Sequence, residues 1–163
     1  MYDFYWYQLG YFIFVLMSDS NYTVSALKYR PDSWDTIVGQ PNIASTLQQA
    51  IKSNQLAQAY LFCGPRGVGK TSTARLFAKS INLAHDSNLD DFSYNIYELD
   101  AASNNQVDDI RNLNDQVRIP PQIGKYKVYI IDEVHMLSQS AFNAFLKTLE
   151  EPPAHAVFIL ATT

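Results

Sequence analysis

The chain has 163 residues, is 47% apolar and carries a net charge of −4, enough for one ordinary hydrophobic core. The acidic balance excludes tight autonomous binding to phosphate backbones, because nonspecific affinity for nucleic acid comes mainly from Lys and Arg displacing counterions. The single cysteine, Cys63, excludes an intramolecular disulfide and a cysteine-rich zinc site, and it suits a reducing, cytoplasmic setting.

Residues 1–16 stand apart, with eight aromatic side chains and no basic one. A secretory signal needs a positive start and a small-residue cleavage site, and a membrane span needs roughly 20 apolar residues. The run from Phe4 to Met17, broken by Gln8 and Gly10, meets neither requirement. Two readings stay open: an extension upstream of a start at Met17, or a packing strand favoured by β-propensity.

From Pro41 onward the apolar period alternates between helix and strand. Pro41 opens a helix with Ile43, Leu47, Ala50 and Ile51 on one face, and residues 59–63 read as a short buried strand. Residues 64–69 break it, a helix follows with Ala74, Phe77, Ala78 and Ile81 in register, and the polar stretch 82–93 reads as a loop. A second strand spans 94–100, and Val107, Ile110, Leu113 and Val117 mark a helix stopped by Pro120 and Pro121. A third strand spans 127–132. Ser138 caps a helix carrying Ala141, Phe142, Phe145, Leu146 and Leu149, Pro152 and Pro153 end it, and residues 156–162 form the last strand. Such alternation predicts an α/β fold, a mostly parallel sheet with helices on both faces.

The chemistry concentrates at two strand ends. Gly64, Pro65, Arg66, Gly67, Val68, Gly69, Lys70 and Thr71 satisfy G-x-x-x-x-G-K-[ST] between a strand and a helix, with Ser72 next in line. In such a loop backbone N–H groups turn inward around phosphate oxygens, Lys70 reaches the β- and γ-phosphates, and the Thr71 hydroxyl holds magnesium. The third strand ends in Asp132 and Glu133, about 60 residues later. Asp132 suits a magnesium ligand, and the longer Glu133 suits a base for the attacking water. His135 has no partner at metal-ligand spacing, since His85 and His155 lie far off, so a structural role is expected of it. Thr162 and Thr163 end the last strand, where a hydroxyl could sense the γ-phosphate, and the residue types do not separate the two.

Longer runs carry a resemblance. Residues 26–31 and 38–40, the loop 64–71, residues 98–103 and 131–137, and Phe142 through Pro153 to Thr163 together resemble the AAA+ clamp loaders, within them the gamma/tau subunits of bacterial DNA polymerase III. The resemblance spans roughly residues 24–163. It implies a three-layer α/β/α P-loop NTPase that uses ATP and Mg²⁺, assembles with other clamp-loader subunits, opens a sliding clamp and is triggered by primed DNA. Residue by residue, it places Tyr29, Arg30, Val38 and Gly39 against the adenine, Lys70 and Thr71 on the phosphates and metal, and Glu133 as catalytic base. Thr163, or else Thr162, matches the first sensor, and Asp100 matches a polar position that restrains the glutamate.

Three departures qualify it. Residues 82–93 hold no cysteine where that family usually inserts a four-cysteine zinc module, so zinc is not expected. The aromatic residues 1–16 have no counterpart, leaving 17–163 as the nucleotide-binding domain. The chain ends before the Ser-Arg-Cys motif, the second sensor, the lid and the collar, so the expectation is a sheet incomplete at its C-terminal end, in the family order 5-1-4-3-2 without strand five. A nucleotide-binding or assembly module without turnover is the alternative. A branch-migration helicase fits the loop and Asp132–Glu133 but not residues 149–153.

Overall fold

The computed structural model describes residues 33–37, 39–84 and 93–163. Four strands, β1 Ala59–Cys63, β2 Ile96–Asp100, β3 Lys127–Asp132 and β4 Ala156–Thr162, pair in parallel in the order β1-β4-β3-β2. Four helices connect and cover them: α1 Pro41–Lys52, α2 Lys70–Leu83, α3 Val107–Arg118 and α4 Gln139–Glu150.

Successive side chains of a strand point to opposite faces, and β3 and β4 are apolar on both. Val128, Ile130, Val157 and Ile159 meet Leu47 of α1 and Ala74, Phe77, Ala78 and Ile81 of α2. The intervening Tyr129, Ile131 and Phe158 meet Ile110, Leu113 and Val117 of α3 and Ala141 and Phe145 of α4. The sheet is therefore the middle of three layers, as expected. Phe158 is fully buried, with its ring 5.5 Å from Tyr129 in a stacked pair and 5.5 Å from Phe145 edge-on. The Tyr129 hydroxyl donates to Gln116 O at 3.1 Å, and burial with Tyr97 alongside pushes its phenol well above the ordinary range.

Local signals set most boundaries. Pro41 is the first residue of α1, the Ser138 hydroxyl accepts from Ala141 N at 3.2 Å and starts α4, and Asp109 accepts from Gln106 N at 3.1 Å at the start of α3. Ile119, forced extended before Pro120, stops α3.

Four expectations need correction. Helix α2 runs through Asn82 and Leu83, because Asn82 is buried against the helix and donates back to Ala78 O. Strand β2 begins at Ile96, since Ser93–Asn95 form a 3-10 turn held by Asn95 Nδ2 donating to Ile123 O at 2.6 Å. Ile43 and Leu146 lie 49% and 36% exposed, because α1 and α4 bury narrower stripes than their apolar residues suggest. Strand β1 is not a buried strand but an edge, the place that the family order without strand five gives it: among the described residues it pairs only with β4, and Leu61 is 62% exposed. A packing role for residues 1–16, and residues 85–92 within the stretch 82–93 where a zinc module is usual, lie outside the described residues. No helix among the described residues is long and apolar enough to cross a membrane.

Removing Phe158, Phe158→Ala, is expected to cost about 3–5 kcal/mol by cavity formation. Leu61→Asn at the exposed edge should stay within about 0.5 kcal/mol. Urea unfolding of the two variants beside wild type measures both.

Candidate active site

Parallel strands end on one side, and this sheet brings four chemically active ends together there. Cys63 at the end of β1 lies in register with Thr162 of β4, and Asp100 of β2 with Asp132 of β3. Gly64 N donates to Thr162 O at 3.2 Å, so the loop after β1 starts beside the end of β4. Gly67 and Gly69 have φ of +84° and +89°, a left-handed conformation that side chains resist. Gly69 is the residue before α2, and its carbonyl accepts from Thr73 N at 2.8 Å. The first amides of α2 thus open onto the loop with the positive end of the helix dipole behind them.

Within this loop Lys70 Nζ donates to Gly64 O at 2.7 Å and to Pro65 O at 3.0 Å, which holds the ammonium across the loop's mouth. The Thr71 hydroxyl donates to Asp132 Oδ2 at 2.5 Å, and the other carboxylate oxygen accepts from Glu133 N at 2.9 Å. Asp132 is therefore fixed at both oxygens. Glu133 sits at φ 49°, ψ 44°, left-handed for a residue with a long side chain, and its backbone reverses to begin the 3-10 turn Val134–Met136. Its Oε1 lies 3.3 Å from Arg66 Nε, with Arg66 79% exposed and Glu133 21%. So open an ion pair contributes little to stability, but it links the loop to the strand end.

This is a phosphate loop facing two carboxylates on a parallel α/β sheet. Residues 39–163 match the family model described as DNA polymerase III, delta subunit. The chain belongs to that family. It is 51% identical over 148 residues to DNA polymerase III subunit tau of Bacillus subtilis, covering 83% of this chain and 26% of that protein. It is 45% identical over 156 residues to DNA polymerase III subunit tau of Escherichia coli, covering 88% and 24%. The chain thus spans about a quarter of the length of these two relatives. Among solved structures, a DNA polymerase III gamma subunit-related protein of Thermotoga maritima superimposes with a TM-score of 0.54 at 26% identity, covering 71% of this chain and 38% of that one. The RuvB Holliday junction branch migration motor of the same organism gives 0.59 at 21% identity, covering 82% and 41%, and shares the fold. The resemblance to gamma/tau clamp-loader subunits and the AAA+ fold class both stand on these findings.

Gly64 through Ser72, Asp132 and Glu133 come together, with Pro65, Arg66 and Val68 on the exposed rim of the loop. Gly39 is exposed with φ 84°, and the next residue, Gln40, reaches the loop by donating to Val68 O at 3.4 Å. Tyr29, Arg30 and Val38 lie outside the described residues. Beside the loop opens a groove of about 360 Å³ walled by Gln40, Ile43, Leu61, Phe62, Val68 and Lys70. Thr163 is exposed, whereas the Thr162 hydroxyl meets His135 Nδ1 at 3.0 Å. The carboxylate of Asp100 does not turn to Glu133: it accepts from Ala102 N and the Ser103 hydroxyl, both at 2.9 Å. Arg66 contacts Glu133 instead. Sequence reasoning missed this pair and assigned His135 a structural role only; nothing in the spacing of 133, 135 and 162 marks them as neighbours.

A left-handed non-glycine residue costs roughly 1–2 kcal/mol. Glu133→Gly should therefore raise stability by about 1 kcal/mol despite losing the Arg66 contact, seen as a higher urea midpoint.

Proposed function

We propose that the chain binds Mg·ATP through the loop 64–71 and serves as the ATPase module of a clamp-loader subunit in DNA replication. The observation that carries this is the hydrogen bond from Thr71 to Asp132, which couples the phosphate loop to the acidic end of β3 across the sheet edge. Backbone amides of the loop and the start of α2 receive the phosphates, and Lys70 exchanges its two carbonyl acceptors for β- and γ-phosphate oxygens. Thr71 and Asp132 form a hard-oxygen pair that fits Mg²⁺, which when bound neutralises phosphate charge. Glu133 accepts the proton of the attacking water, and a hydroxyl at the end of β4, from Thr163 or Thr162, contacts the γ-phosphate. Gly39, with Tyr29, Arg30 and Val38, contributes to adenine binding.

The partners follow from the clamp-loader resemblance: sibling subunits in a ring, a sliding clamp, and primed DNA reached through the assembled ring. The acidic chain suits DNA contact shared with partners rather than made alone. Phosphoryl transfer also spreads charge over the γ-phosphate oxygens, and in this reading a neighbouring subunit supplies the arginine that meets it.

Calorimetric titration with Mg·ATP tests the binding half. Lys70→Ala removes a charge-assisted contact of about 1.5–3 kcal/mol and should weaken affinity by about 10- to 100-fold; equal affinity in wild type and variant refutes the reading. Phosphate release tests the catalytic half: the 163-residue chain alone should turn over at a trace rate, and the assembled complex ~10³- to 10⁵-fold faster. Glu133→Gln sets the zero. Equal rates in both settings would show that no neighbour contributes.

A further inference from the structure

His135 lies between two groups on which the proposed hydrolysis depends. Its Nδ1 is 3.0 Å from the Thr162 hydroxyl oxygen and 3.5 Å from Glu133 Oε2. That carboxylate oxygen is buried and accepts no hydrogen bond, so the ring nitrogen is poised beside an acceptor with unused capacity. The Thr162 hydroxyl already has a place for its own proton, on Thr163 O at 3.3 Å.

These contacts decide where the imidazole hydrogen sits. With the Thr162 proton directed at a carbonyl, the hydroxyl oxygen faces the ring as an acceptor. A bare Nδ1 lone pair would also face the negative oxygen of Glu133, which electrostatics disfavours. Both neighbours call for a hydrogen on Nδ1. His155 is the internal contrast, because its Nε2 lies 2.8 Å from Val117 O, an acceptor only, and must carry the hydrogen there.

We propose that His135 is a positioning residue for ATP hydrolysis, its Nδ1–H held between Thr162 and Glu133. The inference rests on the ATPase reading above and selects Thr162 over Thr163 as the hydroxyl that contacts the γ-phosphate. Because Nδ1–H occupies one lone pair of Thr162 Oγ1, the hydroxyl can only donate outward: to Thr163 O, or to a γ-phosphate oxygen that takes its place. The same hydrogen attracts Glu133 Oε2 while Arg66 holds Oε1. The ends of β3 and β4 are then aligned by one imidazole, and the base stays beside the group that reports a γ-phosphate.

Two measurements test it. Long-range ¹H–¹⁵N spectra of the labelled chain, with the signal assigned by its loss in His135→Asn, should show hydrogen on Nδ1 of His135 and on Nε2 of His155. A neutral Nε2–H tautomer at His135 overturns the proposal whether or not the protein hydrolyses ATP. The second uses the full-length subunit in its assembled complex. His135→Ala and His135→Gln, which remove the donor or move it outward, should lower kcat by about 10- to 100-fold with nucleotide Kd unchanged. His135→Asn, which keeps an N–H near the Nδ1 position, should remain within a few-fold of wild type. An Asn variant as slow as the Ala variant, or an Ala variant as fast as wild type, overturns it. A wild-type complex that binds ATP without turnover overturns the ATPase reading instead, and the tautomer still decides the place of His135.

Discussion

The Thr71 hydroxyl and the Asp132 carboxylate meet across 61 residues of sequence, and the site depends on both ends of that contact being held in place. On one side, Thr71 is set by the turn through Gly67 and Gly69 that launches α2. On the other, Asp132 ends a strand whose preceding residues are buried on both faces. A charge-assisted hydrogen bond of this kind is short and directional. Its geometry is affordable because the rigid core beneath it, not the contact itself, holds the two elements at the right separation.

Burial and the candidate site divide along the strands. Residues 128–131 of β3 are almost fully buried, while Asp132 and Glu133, the proposed metal ligand and base, are only partly covered. The strain is stored at the boundary. Glu133 takes a left-handed backbone that a glycine would take more easily, and the reversal begins the turn that carries His135 back toward β4. Strained non-glycine residues of this kind cluster at functional sites, where the surrounding structure must hold them.

Polar contacts around Glu133 come from three elements: Arg66 from the phosphate loop, His135 from the turn after β3, and Thr162, at the end of β4, through His135. The Glu133 carboxylate is thus connected to the loop on one side and, through His135, to the adjacent strand on the other. Asp100, the expected restraint, is used up in its own turn, where its carboxylate and carbonyl tie down residues 102–104. A short acidic side chain followed by small polar residues closes such a turn locally, so it is not free to reach across the sheet.

What could be read from the sequence alone was what depends on near neighbours. The octet 64–71 specifies its own turn through glycine freedom and helix initiation, the apolar runs 128–131 and 156–161 specify strands buried on both faces, and Pro41, Ser138 and Pro120 specify helix ends. Family resemblance extended this to the strand order, which the sheet β1-β4-β3-β2 follows. Periodicity overstated the buried faces of α1 and α4, since a helix's apolar residues count as core only where a neighbour covers them, and Ile43 and Leu146 are left partly uncovered. Only the tertiary structure decided that Arg66 meets Glu133 and that His135 meets Thr162 rather than standing apart. Those contacts depend on β4 lying between β1 and β3 and on the backbone reversing at Glu133. Both are set by long-range packing that no local spacing encodes.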